Sequence, residues 1–332
     1  MDGLGILVYK MINQNKKIAL VTGATGFVGS HLARHLLQEN YEVHILTRKT
    51  SDKWRIRDIS QKLHDHAADL CDKENLIKII QNVKPEYVFH SATYGGYPSQ
   101  KDFNNIIKTN ILGSLNLFQS LENCGSLKKI INIGSSSEYG QKSEPMKETD
   151  LLEPNTPYAA AKASQTLFGR YFSKNHNLPL ITLRPFSVYG PAEEPGRLIA
   201  DLMMSAIRKR KVNLSSPLPR RDFIFVDDIL SASIKAANSS VESGEIFNVG
   251  SGKDLSIGEI TANFEEILGR KLDIEWGVEE KKRSFDVGQR WVADISKIKK
   301  TLDWEPVWSL KDGLKKTYQW YSDNNHLYDS KN

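Results

Sequence analysis

Cysteine is nearly absent from this chain: Cys71 and Cys124 are the only two in 332 residues. Two thiols cannot build the disulfide framework of a small secreted domain; both read as packing residues suited to a reducing, cytoplasmic setting. Long apolar runs are missing as well, and nothing approaches the stretch of about 18 residues that a membrane span requires. The start, Met1–Lys10, lacks the basic leader and apolar core of a signal peptide. Because Met11 lies just ahead of the first expected strand, residues 1–10 are expected to be a tail or start-site choice without function, within an N-terminal extension of residues 1–16. The histidines, His90 and His176 among them, show no metal-ligand spacing along the chain, so no metal is expected. The net charge of +5 comes from scattered lysines, with Arg208–Lys211 as the densest cluster. That cluster reads as a solvated helix end, and no aromatic-interleaved basic motif points to nucleic acid. There is no internal repeat or low-complexity tract.

What is present names a chemistry. Tyr158-Ala-Ala-Ala-Lys162 places a phenol and an ammonium four residues apart, on one face of a helix. A tyrosine with its ordinary pKa of about 10 is a poor base at neutral pH, and the shortfall of ~3 units costs ~4 kcal/mol. One ammonium at ~4 Å supplies about that much at an effective dielectric constant near 20. A phenol tuned in this way can take or return the proton of an alcohol. The same spacing occurs on any amphipathic helix, so it needs a cofactor site in the same chain.

That site is Gly23-Ala-Thr25-Gly26-Phe27-Val28-Gly29, which follows the apolar run Ile18–Val21 and opens a helical pattern reaching Leu37. Glycines let a backbone approach a pyrophosphate closely, and a helix N-terminus offers free N–H groups and a positive dipole end. The spacing is Gly-x-x-Gly-x-x-Gly. Strands are expected near 17–22, 42–47, 64–68, 86–91, 129–134, 180–184 and 245–249, and helices near 27–39, 73–83, 103–123, 157–175 and 227–238. This alternation predicts an α/β fold, a Rossmann-type doubly wound parallel sheet of about seven strands. Residues 185–222 and 251–330 break the rhythm and are expected to form a smaller substrate lobe, leaving 17–184 plus 223–250 as the dinucleotide-binding domain. The helices near 103–123 and 157–175 carry more apolar residues than one buried face needs, so they are the expected contact of a homodimer.

Together these motifs resemble the extended short-chain dehydrogenase/reductase family of nucleotide-sugar epimerases, dehydratases and 4-ketoreductases. Further segments carry the resemblance from residue 17 to about 320: Tyr87–Thr93, Thr109-Asn110, Gly134–Gly140, Leu183–Pro191, Arg221–Asp228 and Phe247–Gly252. It implies Ser135, Tyr158, Lys162 and Asn110 as the catalytic group. Ser91, Ala92 and Thr93 would lie along the nicotinamide ribose, Pro185, Ser187 and Val188 beside the nicotinamide, and Asp69 and Leu70 at the adenine. Arg221, Arg283 and Arg197 are candidates for the substrate diphosphate, with Leu198, Ser136, Ser137 and Ser187 also facing the sugar nucleotide. Ser187 departs from the Asn usual in UDP-sugar epimerases, which puts their sugar contacts in doubt here.

Two departures bear on cofactor and reaction. At the end of the second strand, where NAD-binding members carry an acid for the ribose, this chain has Thr47 followed by Arg48-Lys49. Arg48 could pair with a 2′-phosphate, so NADP(H) is expected over NAD(H). Dehydratases of the family carry an Asp-Glu pair directly after the catalytic Ser/Thr, whereas Ser136 and Ser137 stand here and Glu138 is displaced by one. Dehydration is therefore disfavoured. The expected reaction is reduction of a nucleotide 4-keto-6-deoxy-hexose at C4 by NADPH, with Tyr158 supplying the proton. The alternative is a 4-epimerase with tightly held NAD, and a distant third is an inactive NADP-binding regulator.

Overall fold

The computed structural model describes residues 16–278 and 290–331; residues 1–15, which hold the expected tail, and Arg283 lie outside these. β1 (Ile18–Thr22), β2 (Glu42–Thr47), β3 (His64–Ala67), β4 (Tyr87–His90), β5 (Lys129–Ile133), β6 (Leu180–Pro185) and β11 (Ile246–Val249) form one parallel sheet in the order β11-β6-β5-β4-β1-β2-β3. β1, β4, β5 and β6 are almost wholly buried, as continuous apolar runs in a doubly covered parallel sheet must be. On one face pack α1 (Phe27–Gln38) and α7 (Val226–Ala237), through residues such as Leu32, Leu36, Ile229 and Ala232. On the other lie α2 (Lys73–Val83), α4 (Gly113–Leu121) and α5 (Pro157–His176), through Leu76, Ile80, Leu117, Phe118 and Phe172. The strand order reverses between β4 and β1, and this switch point opens the crevice in which such sheets take their ligands.

The helix expected over 103–123 is not uniform. α3 (Phe103–Ile106) passes into a π-helical stretch, Ile107–Leu112, before α4 resumes the regular turn. The widened turns carry Asn110 inward, where it is fully buried. Beyond β6 the chain builds short strands only: β7 (Ser187–Tyr189) beside β10 (Phe223–Phe225), β9 (Arg220–Arg221) between β12 (Leu255–Ser256) and β14 (Arg290–Trp291), and β8 (Val212–Leu214) beside β13 (Ile274–Trp276). They share a second core with α6 (Leu198–Arg208), α8 (Ile257–Leu268) and α10 (Leu310–Asn324), built on Met203, Phe225, Phe264, Leu314 and Tyr321. Phe27 of α1 joins that core, so the glycine turn ahead of α1 is packed against it.

Candidate active site

The turn after β1 is held by geometry that only glycine permits. Gly23 has φ +71°, and a Cβ on it would lie 2.6 Å from the Ala92 backbone nitrogen; one on Gly29 would lie 2.1 Å from the Gly23 carbonyl oxygen. Gly26 caps α1 with no side-chain bond and no acid in the first turn, leaving its N–H groups and dipole open to an anion. Thr25, Phe27 and Val28 lie on this turn beside the ends of β1 and β4, and the Ser91 hydroxyl locks β4 to it by donating to the Thr22 carbonyl at 2.7 Å. A residue missed in the sequence completes the turn. Arg55 donates to the carbonyls of Thr25 (3.3 Å) and Ala192 (2.8 Å) and pairs with Glu194, tying the turn to the substrate side. No motif announces Arg55, which lies in the 3₁₀ helix Trp54–Lys62 between β2 and β3.

At the far end of the crevice, Thr47 is not alone. Its hydroxyl donates to Asp65 Oδ1 of β3 at 2.7 Å, and Lys53 donates to Asp65 Oδ2 at 2.5 Å. A carboxylate thus stands beside the position at which the sequence shows only threonine. Arg48 is exposed just beyond it. Asp69 is exposed and accepts the Cys71 N–H at 2.8 Å, while Leu70 is buried against Gly113.

Tyr158 lies in the first turn of α5, which Thr156 caps by accepting the Ala159 N–H at 3.1 Å. Its ring is half-buried and its hydroxyl faces Ser135 and Thr93. Here the structure departs from the expectation of a phenol tuned downward. Burial is the largest influence and pushes the Tyr158 pKa up, opposed by the Ser135 bond and by the Arg197 charge. Lys162 is turned away: its ammonium donates to the Ile133 carbonyl and to Gln165 Oε1, and burial lowers its pKa to about 8. Behind it runs a buried chain that the sequence did not reveal. Gln165 Nε2 donates to Ser114 Oγ at 3.0 Å, His90 Nε2 lies 2.9 Å from that oxygen, and His90 Nδ1 lies 2.7 Å from Thr22 Oγ1. Asn110 contributes by holding the loop after β4, accepting from Tyr94 N (2.9 Å) and Thr93 Oγ1 (3.2 Å) and donating to the Tyr94 carbonyl (2.8 Å).

Ser135 opens a short turn, Ser136–Tyr139, as its cap; Ser137 N donates to Ser135 Oγ and Glu138 Oε1 accepts from Ser135 N at 2.8 Å. Glu138 is fully buried, pointing inward to accept from Arg184 Nε at 2.8 Å. Arg184 also donates to Tyr139 Oη, which bonds Asn248 Oδ1 at 2.7 Å. Ser136 Oγ accepts from Trp291 Nε1 at 2.9 Å, so this candidate sugar contact is engaged by β14. Pro185, Ser187 and Val188 are half-buried around the start of β7. Arg197 and Leu198 lie where α6 begins, and the Arg197 guanidinium donates to the Gly96 carbonyl over the Tyr97 ring. Arg221 is buried, donating to the Arg220 carbonyl at 2.9 Å beside the Trp291 ring. Its neighbour Asp222, not singled out in the sequence, is a buried hub that accepts from Ser251, Gly252 and Ala293.

A glycine turn at the switch point and a serine–tyrosine–lysine group along the adjoining strand end can bind a dinucleotide and move an alcohol proton beside it. A family model for the NAD dependent epimerase/dehydratase family matches residues 19–250. The chain belongs to this family. It is 31% identical over 323 residues to the UDP-glucuronate 4-epimerase of Thermodesulfobacterium geofontis, covering 94% of this chain and 98% of that one. It is 26% identical over 334 residues to the dTDP-glucose 4,6-dehydratase of Neisseria meningitidis serogroup B, covering 92% and 93%. A crystal structure of the UDP-glucuronic acid 4-epimerase of Bacillus cereus, in complex with UDP-glucuronic acid and NAD, superposes with a TM-score of 0.82 at 28% identity, covering 92% and 99%. The chain is thus an NAD(P)-dependent enzyme of the extended short-chain dehydrogenase/reductase type, with the α/β fold that the resemblance implied. Among the described residues no helix is long and apolar enough to cross a membrane.

Proposed function

We propose that this enzyme is a nucleotide-sugar 4-epimerase. The observation that carries the reading is the placement of the Tyr158 hydroxyl beside Ser135 at the mouth of the crevice, with the nearby carboxylate of Glu138 committed to Arg184. Ser135 would hold the sugar O4 while Tyr158 takes its proton as C4 becomes a ketone, and Tyr158 would return that proton once the keto-sugar has turned over. A nicotinamide bound in the crevice supplies the hydride acceptor and donor at C4. Dehydration needs an acid and a base at C5 and C6; Ser136 and Ser137 cannot serve, and Glu138 is committed to Arg184. This reading is preferred to the reductase favoured on sequence, because the 31% identical relative and the Bacillus cereus structure described above are both 4-epimerases.

The cofactor reading follows. Asp65 beside Thr47 offers a carboxylate that can accept a ribose hydroxyl and repel a 2′-phosphate, which supports NAD(H). The exposed Arg48 is the observation in favour of NADP(H), the second reading. Gly23, Gly26 and Gly29 would hold the pyrophosphate, and Lys162 the nicotinamide ribose. Arg197 and Arg221 are the proposed diphosphate contacts, reached from a substrate lobe of residues 185–222 and 251–330. Phe103, Leu112, Leu167 and Tyr171 are exposed on the α3–α4 segment and on α5, which supports a homodimer through these helices.

Incubation with UDP-glucuronic acid or UDP-glucose, without added dinucleotide, should give the C4 epimer by chromatography and NMR. Consumption of NADPH with a nucleotide 4-keto-6-deoxy sugar, and no isomerisation of either UDP-sugar, would establish the reductase instead.

A further inference from the structure

Three of the histidines that show no ligand spacing along the chain meet across two strands. Successive side chains alternate faces on a strand, so Glu42 and His44 share one face of β2, and His64 and His66 one face of β3. The register pairs His44 with His64 and Leu46 with His66, which puts all four on the same side. His44 Nε2 lies 3.0 Å from Glu42 Oε1, and His64 Nε2 lies 3.9 Å from that same oxygen. One donor atom from each of Glu42, His44 and His64 falls within 4.8 Å of the others. We propose that Glu42, His44 and His64 form a binding site for a divalent transition-metal ion of the zinc type, with His66 as the outer group that orients His44.

Four-coordinate zinc with bonds of about 2.0–2.2 Å separates its ligand atoms by about 3.3 Å, and the separations of 3.0 and 3.9 Å from Glu42 Oε1 straddle that value. Two imidazoles and one carboxylate suit zinc, whereas calcium and magnesium require oxygen donors throughout or nearly so. His66 Nε2 lies 2.9 Å from His44 Nδ1, so it can accept a hydrogen bond from the Nδ1–H and leave His44 Nε2 with its lone pair free for a metal. The His64 ring is stacked on His44 at 4.6 Å and is exposed, leaving a position open to water. The alternative role is a packing stack at the sheet edge. That role needs a ring surface at position 64, whereas binding a metal needs its ring nitrogen. Bound there, the ion would fasten the edge strand β3 to β2. The cluster precedes Thr47 and Ala67 along the strands, away from the crevice, so it does not depend on the proposed reaction.

The test is calorimetric titration of the full chain, freed of metal by chelation, with zinc chloride in a non-coordinating buffer. A single tight equivalent is expected, absent with magnesium chloride. His64→Phe keeps a ring and removes the nitrogen; it should weaken zinc binding at least roughly tenfold, and His66→Ala should weaken it about 10- to 100-fold. Cys71→Ser should leave binding unchanged. Zinc should raise the melting temperature of the wild-type chain and not of His64→Phe. Wild-type affinity in His64→Phe, or an equal loss in Cys71→Ser, overturns the assignment.

Discussion

Tyr158 and Lys162 sit one helical turn apart, yet they face different partners: the phenol meets Ser135 and Thr93, and the ammonium meets Ile133 and Gln165. Removing the phenolic hydroxyl therefore isolates the proton step. Tyr158→Phe should lower kcat by about 10²- to 10⁴-fold while leaving NADH affinity unchanged in a fluorescence titration. His90 makes a second prediction, on stability. It is fully buried, and desolvation, aided by the Lys162 charge, lowers its pKa from 6.5 to about 3. Between those values the unfolded chain binds a proton that the folded one refuses, so this contribution is complete above pH 6.5 and is lost as pH falls toward 3. At pH 4.5, two units below the ordinary value, it amounts to about 3 kcal/mol. Urea unfolding at pH 7 and 4.5 should show that loss, and a His90→Asn variant should show a smaller one. An unchanged loss in the variant would remove His90 as its source.

Two turns carry the site, and each is closed by a contact that a sequence pattern records only in part. The glycine turn was legible because its spacing reports where a side chain cannot fit. Gly29→Ala would set a methyl group 2.1 Å from the Gly23 carbonyl, so the turn must shift. Dinucleotide binding should disappear in calorimetry even if the chain still folds. The turn at Ser135 was legible as a serine run, but the partner of Glu138 was not. Arg184 stands 46 residues away and reaches it only because β5 and β6 are neighbours in the sheet. Glu138→Ala would leave that guanidinium buried and unpaired, a loss of about 3–5 kcal/mol in unfolding free energy. A loss under 1 kcal/mol would mean that Arg184 finds water or another acceptor. The π-helical stretch around Asn110 gave no periodic signal, because one widened turn leaves the apolar spacing on either side nearly intact.

At the scale of the molecule, α3, the π-helical stretch that follows it and α5 leave apolar side chains uncovered, with Phe103 58% and Leu167 55% exposed. Exposed apolar groups gathered on adjoining helices favour association with a second copy. Leu167→Glu should convert a dimer to a monomer in light scattering, and a wild-type monomer at micromolar concentration would reject the proposed interface. Arg55 links the glycine turn to Ala192 and Glu194 across the same crevice, and Phe27 of α1 packs into the second core. Arg55→Ala should accordingly weaken binding of the dinucleotide and of the nucleotide sugar together, in separate titrations of each.

The order of motifs along the chain already specified the sheet, the glycine turn and the Tyr–Lys helix, because those depend on local spacing and on the alternation of short apolar runs. Partnerships came from the fold: Asp65 with Thr47, Glu138 with Arg184, His90 with Ser114, and His44 of β2 with His64 and His66 of β3. Parallel strands bring together residues separated by a whole crossover, and no periodicity within either segment encodes which side chains will then face each other.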